Sequence, residues 1–376
     1  MDHDHDHDHD HLHDHDHPYV PLRILAVDVG AGTQDVLIYE SDRTPENCFK
    51  LVLPSQTQIV ARRIREATAA GHPIHLTGTL MGGGASGYAV QDHLAAGLPV
   101  TASSAAARTI HNDLARVERL GIVIRDDPPP DATRIELRDV DLASLAGVLA
   151  PFGVPVPDLV AIAVQDHGYR PGASNNAVRF EYLQSLVEAG GDLSRMVYRQ
   201  PPAGMTRMEA VLATVPAAYL MDTGAAAVLG ALGDPVVAAA VRTTGAILVN
   251  VGNMHTFATL VKGHRLYGLF EHHTGGITAE RIADLVDRLR AGTIDTDRFT
   301  QDFDGHGAAL DPAYLAAGPF PFVAVTGPNR ALARPLGYHE AAPHGDMMLA
   351  GSFGLVEGVL QSLKSSGNDT GLSLIA

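Results

Sequence analysis

The chain has 376 residues, of which 45% are hydrophobic and 19% are charged, and its formal net charge is −16. These proportions are typical of a folded globular protein, and the length is sufficient for two domains. The acidic balance disfavours nucleic acid and anionic membrane surfaces as partners. The single cysteine, Cys48, excludes an intramolecular disulfide. Because no apolar run is long enough to cross a membrane, the sequence predicts a cytoplasmic protein.

The first 17 residues alternate aspartate and histidine and contain 8 of the 20 histidines. Such a low-complexity segment cannot bury a core, so we predict a disordered tail over residues 1–21. The density of histidines indicates loose binding of Zn²⁺ or Ni²⁺ by this tail. The alternative is an inert or engineered segment.

Residues 24–40, ILAVDVGAGTQDVLIYE, predict two strands joined by a tight glycine turn. Four apolar residues lead to Asp28, and Gly30 and Gly32 then interrupt the pattern before a second β-rich run. Glycines permit positive φ and let a ligand approach the main chain, and successive N–H groups in such a turn form an anion-binding nest. An ordinary β-hairpin is the alternative.

The next segments predict alternating strands and helices before a proline-rich break. The glycine-rich stretch at 78–87, GTLMGGGASG, is predicted to be a loop that either contacts a ligand or lies on the surface. Residues 126–131 are rich in proline and indicate an insertion or a connection between subdomains. The predicted elements are strands at 49–53 and 73–77 and helices at 57–70, 88–96, 105–120 and 142–149.

A near-continuous apolar run at 159–164 predicts a buried strand. Gln165, Asp166 and His167 follow directly. Ligands of open α/β sheets bind just beyond the carboxyl ends of strands, so this position favours a role in a binding site. The alternative is an Asp/His pair that caps a turn.

Residues 246–262, AILVNVGNMHTFATLVK, repeat the opening hairpin after three predicted helices at 174–191, from 206, and at 222–232. When the opening stretch is shifted by 222 positions, Asp28 falls on Asn250 and Gly30 falls on Gly252. Two such units predict two similarly built lobes that each contribute a turn to a shared cleft.

The last part of the chain contains one more glycine-interrupted unit. A strand at 265–270 is followed by EHHTGGIT at 271–278 and a helix at 279–289. FVAVTGPNRALA at 322–333 predicts a strand, a glycine turn and the start of a helix, and residues 344–363 predict a final helix.

With these units, the chain resembles the actin-like ATPase superfamily of sugar kinases, Hsp70 and actin. DVGAGTQDVLI at 28–38 is similar to their phosphate-binding hairpin, and VNVGNMHTFATLV at 249–261 is similar to its partner. VAVTGPNRA at 323–331 resembles their adenosine-binding segment. QDHG at 165–168 and EHHTGG at 271–276 more closely resemble an uncharacterised bacterial and archaeal family that is often labelled as related to pyruvate formate-lyase activating enzyme.

The resemblance covers residues 22–363 and implies an α/β protein with the two-lobed actin-like (ribonuclease H-like) fold and a nucleotide cleft between the lobes. Lobe I would span residues 22–215, and lobe II would span 216–365, followed by a short tail at 366–376. The activating-enzyme label does not fit the composition, because an iron–sulfur cluster is held by several cysteine thiolates and this chain has one cysteine.

The resemblance also implies roles for individual residues in binding ATP and Mg²⁺. Asp28 would hold Mg²⁺, and Asp166 would act as the base, with Gln165 and His167 beside it. Asn250 departs from the superfamily pattern, which has an acid in the second hairpin, and this lowers the expected Mg²⁺ affinity. The phosphates and the nucleoside would contact Gly30, Gly32, Thr33, Gly252, Asn253, His255, Thr256, Gly327 and Asn329.

Three functions are compatible with these residues. The first is an ATP-dependent phosphotransferase or ATPase that acts on a small molecule or an unknown protein client. The second is a non-catalytic module that responds to a nucleotide or a metal by closing its lobes. The third is a divalent-metal hydrolase whose ligands come from Asp166, His167, His255, His272 and His273.

Overall fold

Three β-sheets organise the protein, for which a computed structural model describes residues 20–294 and 305–375. The histidines of the predicted metal-binding tail lie outside the described residues. The strands are β1 (Arg23–Val29), β2 (Thr33–Glu40), β3 (Phe49–Pro54), β4 (Ile74–Gly78), β5 (Val100–Ala102), β6 (Val123–Ile124), β7 (Thr133–Leu137), β8 (Leu159–Val164), β9 (Tyr219–Met221), β10 (Ala246–Val251), β11 (His255–Lys262), β12 (Arg265–His273), β13 (Gly305–Leu310), β14 (Phe322–Thr326) and β15 (His339–Glu340).

Several helices begin after a residue whose side chain accepts a hydrogen bond from a backbone N–H of the first turn, as at Ser174 and Thr278. The helices are α1 (Gln56–Ala69), α2 (Gly84–Ala95), α3 (Ser104–Ala107), α4 (Leu114–Arg119), α5 (Leu142–Leu149), α6 (Asn175–Glu188), α7 (Thr206–Thr214), α8 (Thr223–Ala231), α9 (Pro235–Thr243), α10 (Ala279–Ala291), α11 (Tyr314–Ala317) and α12 (Ala350–Ser365).

Two of the sheets share one arrangement of strands. The first sheet has the order β3-β2-β1-β8-β9, in which β1 to β3 are antiparallel and β8 and β9 run parallel to β1. The second, β13-β12-β11-β10-β14-β15, repeats this with β10 to β12 antiparallel and β14 and β15 parallel to β10. Asp28 pairs with Asp35, and Asn250 pairs with Phe257. The spacing is the same in both hairpins, which confirms the predicted pair of similar lobes.

Helices α8 and α12 lie between these two sheets and share one hydrophobic core with β1 and β10. The opposite face of the first sheet is covered by α5 and α7, and the opposite face of the second is covered by α10. Strand β9 extends the first sheet to Met221, beyond position 215, where the sequence-based division ended lobe I. The final helix, which that division placed in lobe II, packs on β1, β2 and β8 of the first sheet.

Close contact between α8 and α12 depends on two glycines. A Cβ atom added to Gly354 would lie 1.9 Å from the carbonyl oxygen of Ala226, and one added to Gly230 would lie 1.7 Å from that of Ala350. Both distances are far inside van der Waals contact, so the two backbones can approach this closely only without side chains. The connection between the lobes is therefore tightly packed.

Replacing Gly354 with alanine is expected to lower the free energy of unfolding by about 1–3 kcal/mol, because the helices must separate to admit the methyl group. Gly147 in α5 is a matched control, since an added Cβ there meets nothing within 4 Å. Gly147→Ala is expected to raise the free energy by about 0.5–1 kcal/mol. Urea denaturation measures both changes, and equal effects of the two substitutions would disprove the close-packing argument.

The third sheet belongs to a subdomain inserted into lobe I. It is parallel, has the order β6-β5-β4-β7, and forms its own core with α1, α2, α3 and α4. The sequence predicted an insertion but not this sheet, whose strands β5 and β6 are only two or three residues long. The predicted helix at 105–120 is wrong as one element, because Asp113 caps a separate helix, α4.

Helix α2 begins at Gly84, inside the glycine-rich stretch that was predicted to be a loop. A side chain of α1 explains why α2 begins earlier than predicted. Thr57 Oγ1 donates to the carbonyl oxygen of Gly83 at 2.5 Å and accepts from the backbone N–H of Ser86 at 3.0 Å. A side chain from another helix therefore satisfies part of the first turn.

Three other differences concern the second half of the chain. Strand β13 lies between the predicted helix at 279–289 and the predicted strand after 322, where no strand was predicted, and β12 continues to His273, three residues beyond the predicted end. The final helix begins at Ala350 instead of 344. Within the predicted C-terminal tail, Leu374 is buried and its N–H donates to Glu357 Oε2 at 2.7 Å.

No single helix in the described part of the chain is long and apolar enough to cross a membrane. Helices α8 and α9 meet the criteria of length and composition only as a pair, and they are bent by 92° relative to each other.

Candidate functional site

A cavity of about 380 Å³ lies between the two lobes. Its walls come from the hairpin turns after β1 and β10, the loops after β8 and β14, the glycine-rich loop before α2, and the residues ahead of α12. The segments that the sequence indicated as ligand-binding are therefore brought together by the fold.

The two hairpin turns have the same backbone hydrogen bond. Gly30 N–H donates to the carbonyl oxygen of Thr33 at 2.9 Å, and Gly252 N–H donates to that of His255 at 2.9 Å. A Cβ atom added to Gly32 would lie 2.6 Å from Asn253 Nδ2, so the tip of one turn contacts the tip of the other.

Each turn also presents two backbone N–H groups that have no acceptor among the described residues. They belong to Ala31 and Gly32 in the first turn and to Asn253 and Met254 in the second. The second pair follows the first by the same 222 positions as the rest of the hairpin. Ala31, Asn253 and Met254 line the cavity. Equivalent positions of the two lobes thus place backbone hydrogen-bond donors at the cavity wall.

Two carboxylates stand side by side on the first hairpin. Asp28 on β1 is the direct cross-strand partner of Asp35 on β2, which places their Cβ atoms about 4.5–5.5 Å apart on one face. Both line the cavity, and each has a buried Oδ1 without a hydrogen-bond partner among the described residues.

Burial and repulsion raise the pKa values of both acids. For Asp28, loss of solvent is the largest cause, followed by the negative charges of Asp35 and Asp222, and the pKa lies well above its usual range. For Asp35, burial raises the pKa to about 7, although a hydrogen bond from Thr33 opposes the shift. Two such acids with unpartnered oxygens are electrostatically suited to a cation.

The Arg179 guanidinium joins elements of both lobes. It donates from Nη1 to Asp222 Oδ2 at 2.6 Å and from Nη2 to Glu271 Oε2 at 2.8 Å. Its side chain is 3% exposed and that of Glu271 is 1% exposed. Burial alone would lower the pKa of Arg179, but the charges of Asp222 and Glu271 raise it above its ordinary value. The cation therefore stays charged inside the interface.

The Asp166 carboxylate accepts hydrogen bonds from three backbone N–H groups. Its Oδ1 accepts from Gly168 at 2.8 Å, and its Oδ2 accepts from Arg207 and Met208 at 2.9 Å each. Burial raises its pKa, and these hydrogen bonds oppose the shift. Asp166 thus caps the first turn of α7, which agrees with the capping alternative for this loop, and three of the roughly four lone-pair sites of its carboxylate accept these hydrogen bonds.

The other two residues of this loop differ in their surroundings. Gln165 Nε2 donates to Glu271 Oε1 at 2.7 Å, so its amide reaches across to lobe II. The His167 ring lies 5.6 Å from the His255 ring, centroid to centroid. His167, His255 and Glu271 each offer one ligand atom, and these three atoms lie within 4.8 Å of one another.

His255 is an uncharged imidazole at neutral pH. Burial is the largest cause, followed by the positive charge of Arg179, and together they lower the pKa of His255 to about 3. Its ring also stacks on that of His273, with centroids 5.2 Å apart.

Strand register separates the two histidines that were proposed as metal ligands. His273 pairs with His255, whereas His272 pairs with Thr256. Because alternate residues of a strand face opposite sides, His272 and Thr256 point away from the cavity, and neither lines it. Thr256 Oγ1 instead lies 3.1 Å from Thr274 Oγ1. The prediction that Thr256 contacts a nucleotide does not agree with this geometry.

Asn329 and Gly327 shape the second turn. Asn329 Nδ2 donates to the carbonyl oxygen of Gly252 at 2.9 Å, which ties the loop after β14 to the hairpin. Gly327 has φ of +96°, and a Cβ there would lie 2.5 Å from the carbonyl oxygen of Val251, so no other residue fits. Asn250 Nδ2 donates to Thr326 Oγ1 at 3.1 Å. The amide at the position of the missing acid thus has a structural partner.

Most residues predicted for the site do line the cavity. Gly32, Thr256, Asn329, His272 and His273 do not. The predicted residues that line it are Asp28, Gly30, Thr33, Gln165, Asp166, His167, Gly252, Asn253, His255 and Gly327.

Sequence reasoning missed Asp35, Arg179, Asp222 and Glu271. The sequence did contain a signal for Asp35. The predicted hairpin places Asp35, seven positions after Asp28, opposite that acid on the neighbouring strand. Arg179 and Glu271 carried no such signal, because only the packing of lobe I against lobe II brings them together.

The inserted subdomain supplies the remaining wall. Gly82 N–H donates to Asp139 Oδ1 at 3.1 Å, and Asp139 is also paired with Arg207 Nη2 at 2.7 Å. Arg108 lines the cavity and donates to the carbonyl oxygen of Asn112, without a carboxylate partner in the described part of the chain. The charge of Arg108 in this wall is therefore not balanced by any acid of residues 20–294 or 305–375.

Two lobes with the same strand order, whose hairpin turns face each other across a cavity, define the actin-like ATPase fold. Within this fold, the chain belongs to the family described as "Putative pyruvate format-lyase activating enzyme (DUF1786)", which matches residues 81–332. The activating-enzyme label in this description does not fit a chain whose only cysteine is Cys48, because an iron–sulfur cluster is held by several cysteine thiolates. The match therefore identifies the family of this chain but not the reaction.

Solved structures of low similarity cover most of the chain. The ethanolamine utilization protein EutJ from Carboxydothermus hydrogenoformans is 12% identical over 90% of both chains, with a TM-score of 0.32. A Ppx/GppA family member from Aquifex aeolicus is 9% identical over 82% of this chain and 67% of that chain, with a TM-score of 0.28. An exopolyphosphatase-like protein is 10% identical over 93% and 92%, with a TM-score of 0.29. No curated protein matches the sequence.

Proposed function

We propose that the protein binds ATP with Mg²⁺ between its lobes and transfers the terminal phosphoryl group to a small molecule or to water. The observation that carries this proposal is two pairs of backbone N–H groups at equivalent turns, Ala31 with Gly32 and Asn253 with Met254, which have no acceptor among the described residues. Oriented backbone N–H groups of this kind bind phosphate oxygens. Catalysis of phosphoryl transfer rests largely on positioning and charge neutralisation.

The acidic pair on the first hairpin fits Mg²⁺. Asp28 and Asp35 each keep a buried oxygen without a partner among the described residues, and Mg²⁺ prefers oxygen ligands and retains several waters. Bound there, Mg²⁺ would supply positive charge to the phosphates. Asn250 adds no charge from the second lobe, so the two acids of lobe I would hold the ion alone.

The acceptor belongs, in this proposal, on the side of the inserted subdomain. Arg108 offers a positive charge there that no described carboxylate balances. An acceptor with an anionic group would gain a charge-assisted hydrogen bond from this guanidinium. His167 lines the cavity beside Gln165 and Asp166, and we retain it as the predicted catalytic residue that contacts the acceptor.

ATP binding is the direct test, measured by isothermal titration calorimetry with and without Mg²⁺, together with release of ADP. The wild-type protein is expected to bind Mg²⁺–ATP, and removal of Mg²⁺ or the substitution Asp28→Ala is expected to weaken binding about tenfold or more. Asp42→Ala is the matched control, because Asp42 is exposed just beyond the same hairpin.

The control should bind Mg²⁺–ATP as the wild type does. Absence of ATP binding by the wild-type protein would refute the proposal, and so would equal affinity in Asp28→Ala. Circular dichroism of each variant establishes that the comparison is made between folded proteins.

A further inference from the structure

We propose that His167, His255 and Glu271 form a second metal site, distinct from the Mg²⁺ site, that binds Zn²⁺ and joins the two lobes. His167 follows β8 in lobe I, whereas His255 and Glu271 lie on β11 and β12 in lobe II. His167, which the proposed function places next to the acceptor, is shared by the two proposals, whereas the acidic pair of the first hairpin belongs to the Mg²⁺ site alone.

The geometry suits a small coordination sphere. The three ligand atoms, one from each residue, lie within 4.8 Å of one another. Zinc bonds to nitrogen and oxygen ligands are about 2.0–2.2 Å long, which places the ligands of a tetrahedral site about 3.4 Å apart. Small side-chain rotations therefore close the site. All three residues line the cavity, so a ligand from the cavity can complete the coordination.

Register explains why these residues converge, although they are distant in sequence. Phe257 pairs with Glu271 and His255 pairs with His273 across β11 and β12. His255 and Glu271 are therefore diagonal neighbours on the same face of the sheet. The ring of His167 meets that of His255 from the other lobe, with centroids 5.6 Å apart.

The carboxylate of Glu271 is held by partners on both oxygens. Gln165 Nε2 donates to Oε1 at 2.7 Å, and Arg179 donates to Oε2 from Nε at 3.0 Å and from Nη2 at 2.8 Å. Outer partners of this kind fix the orientation of metal ligands and tune the affinity of the site. The Glu271 side chain is 1% exposed, so water does not compete for it.

The local charge also favours a cation. Arg179 would oppose a metal ion by itself, but it forms two hydrogen bonds with Asp222, at 2.6 and 3.1 Å. Because Arg179 pairs with both Asp222 and Glu271, the three groups together carry one net negative charge, which favours a metal cation beside Glu271. Two imidazoles and one carboxylate are the ligands that zinc sites use when one position stays open to another ligand.

The test uses the full chain, stripped of metal with EDTA and titrated with Zn²⁺ in the absence of nucleotide. The N-terminal histidines are present in every variant, so differences between variants report the cleft. His167→Ala and His255→Ala, which remove one ligand from each lobe, are expected to lose one equivalent of bound Zn²⁺ per chain. His264→Ala is the matched control, since His264 is exposed between the same two strands.

Two further readouts separate a metal site from a structural role. The wild type and His264→Ala should show the visible absorption of tetrahedral Co²⁺, and Zn²⁺ should raise their melting temperatures, because binding to the folded state alone is stabilising. Both effects should be lost in His167→Ala and His255→Ala. Equal Zn²⁺ stoichiometry, together with equal Co²⁺ spectra, in all four proteins would overturn the proposal.

Discussion

Replacing Arg179 with alanine is expected to lower the free energy of unfolding by about 3–5 kcal/mol, because the buried carboxylate of Glu271 and the partly buried one of Asp222 then lose their cation. Asp222 and Glu271 depend on this guanidinium, whose side chain is 3% exposed. Arg179 thereby connects the first lobe with strand β12 of the second lobe. The variant should therefore unfold at a lower urea concentration, with tryptic cleavage between the lobes as a second readout.

Arg170 provides a matched control from the same region. It pairs with Glu181 at 2.7 Å, but its side chain is 54% exposed and that of Glu181 is 58% exposed. An exposed pair gains little because water screens it, so Arg170→Ala should change the urea midpoint only slightly. The interpretation of the Arg179 network is incorrect if the two arginine variants unfold at the same urea concentration.

Replacing Asp35 with asparagine is expected to stabilise the metal-free protein above neutral pH by up to about 4 kcal/mol, at about 1.4 kcal/mol for each unit of pKa shift. Burial raises the pKa of Asp35 from 3.8 to about 7. Since the pKa is higher in the folded than in the unfolded state, the associated stability is present below about pH 4 and is lost as the pH rises through 7. Asparagine does not titrate and avoids this loss.

The measurement is the urea midpoint at pH 6 and pH 8 in EDTA, repeated with Mg²⁺. Wild-type stability should fall between these two pH values more than that of Asp35→Asn. Added Mg²⁺ should stabilise the wild type and have a smaller effect on the variant, because binding to the folded state alone is stabilising. Asp42→Asn should behave as the wild type does. A variant that is less stable than the wild type at pH 8 would contradict this account of the acidic pair.

The hairpins and their repetition were predictable because their signals are local. Alternating apolar residues, an acid at the strand end and glycines in the turn specify strand–turn–strand without reference to the rest of the chain. Because the second hairpin repeats the first after 222 positions, the sequence also predicted two similar lobes. The pairing of β1 with β2 and of β10 with β11 confirms this repetition.

The parallel sheet of the inserted subdomain could not be predicted in this way. Strands β5 and β6 have three and two residues, which is too short for a pattern to be distinguished from a loop. Their existence depends on pairing with β4 and on the core beneath them. Likewise, the start of α2 depends on Thr57 of α1, a residue that sequence proximity does not connect to it.

The site residues likewise divide into those that local sequence predicts and those that depend on tertiary contacts. The N–H groups of the turns and Asp28 come from segments whose conformation is local, and they were found. The role of Asp166 was decided by two N–H groups of α7, which bond to its Oδ2, and by the N–H of Gly168, which bonds to its Oδ1. Register decided that His272 and Thr256 face away from the cavity, because a strand assignment alone does not state which face is buried.

By itself, the sequence determined that this protein has two hairpins of one design, an acid at the end of the first, and an amide in its place in the second. Those features follow from glycine conformation and from period-two patterning, which act over a few residues. Only the tertiary structure decided what surrounds them. It brought Arg179, Glu271, His167 and His255 together from both lobes, because contacts between residues distant in the chain arise from the packing of α8 and α12 between the sheets.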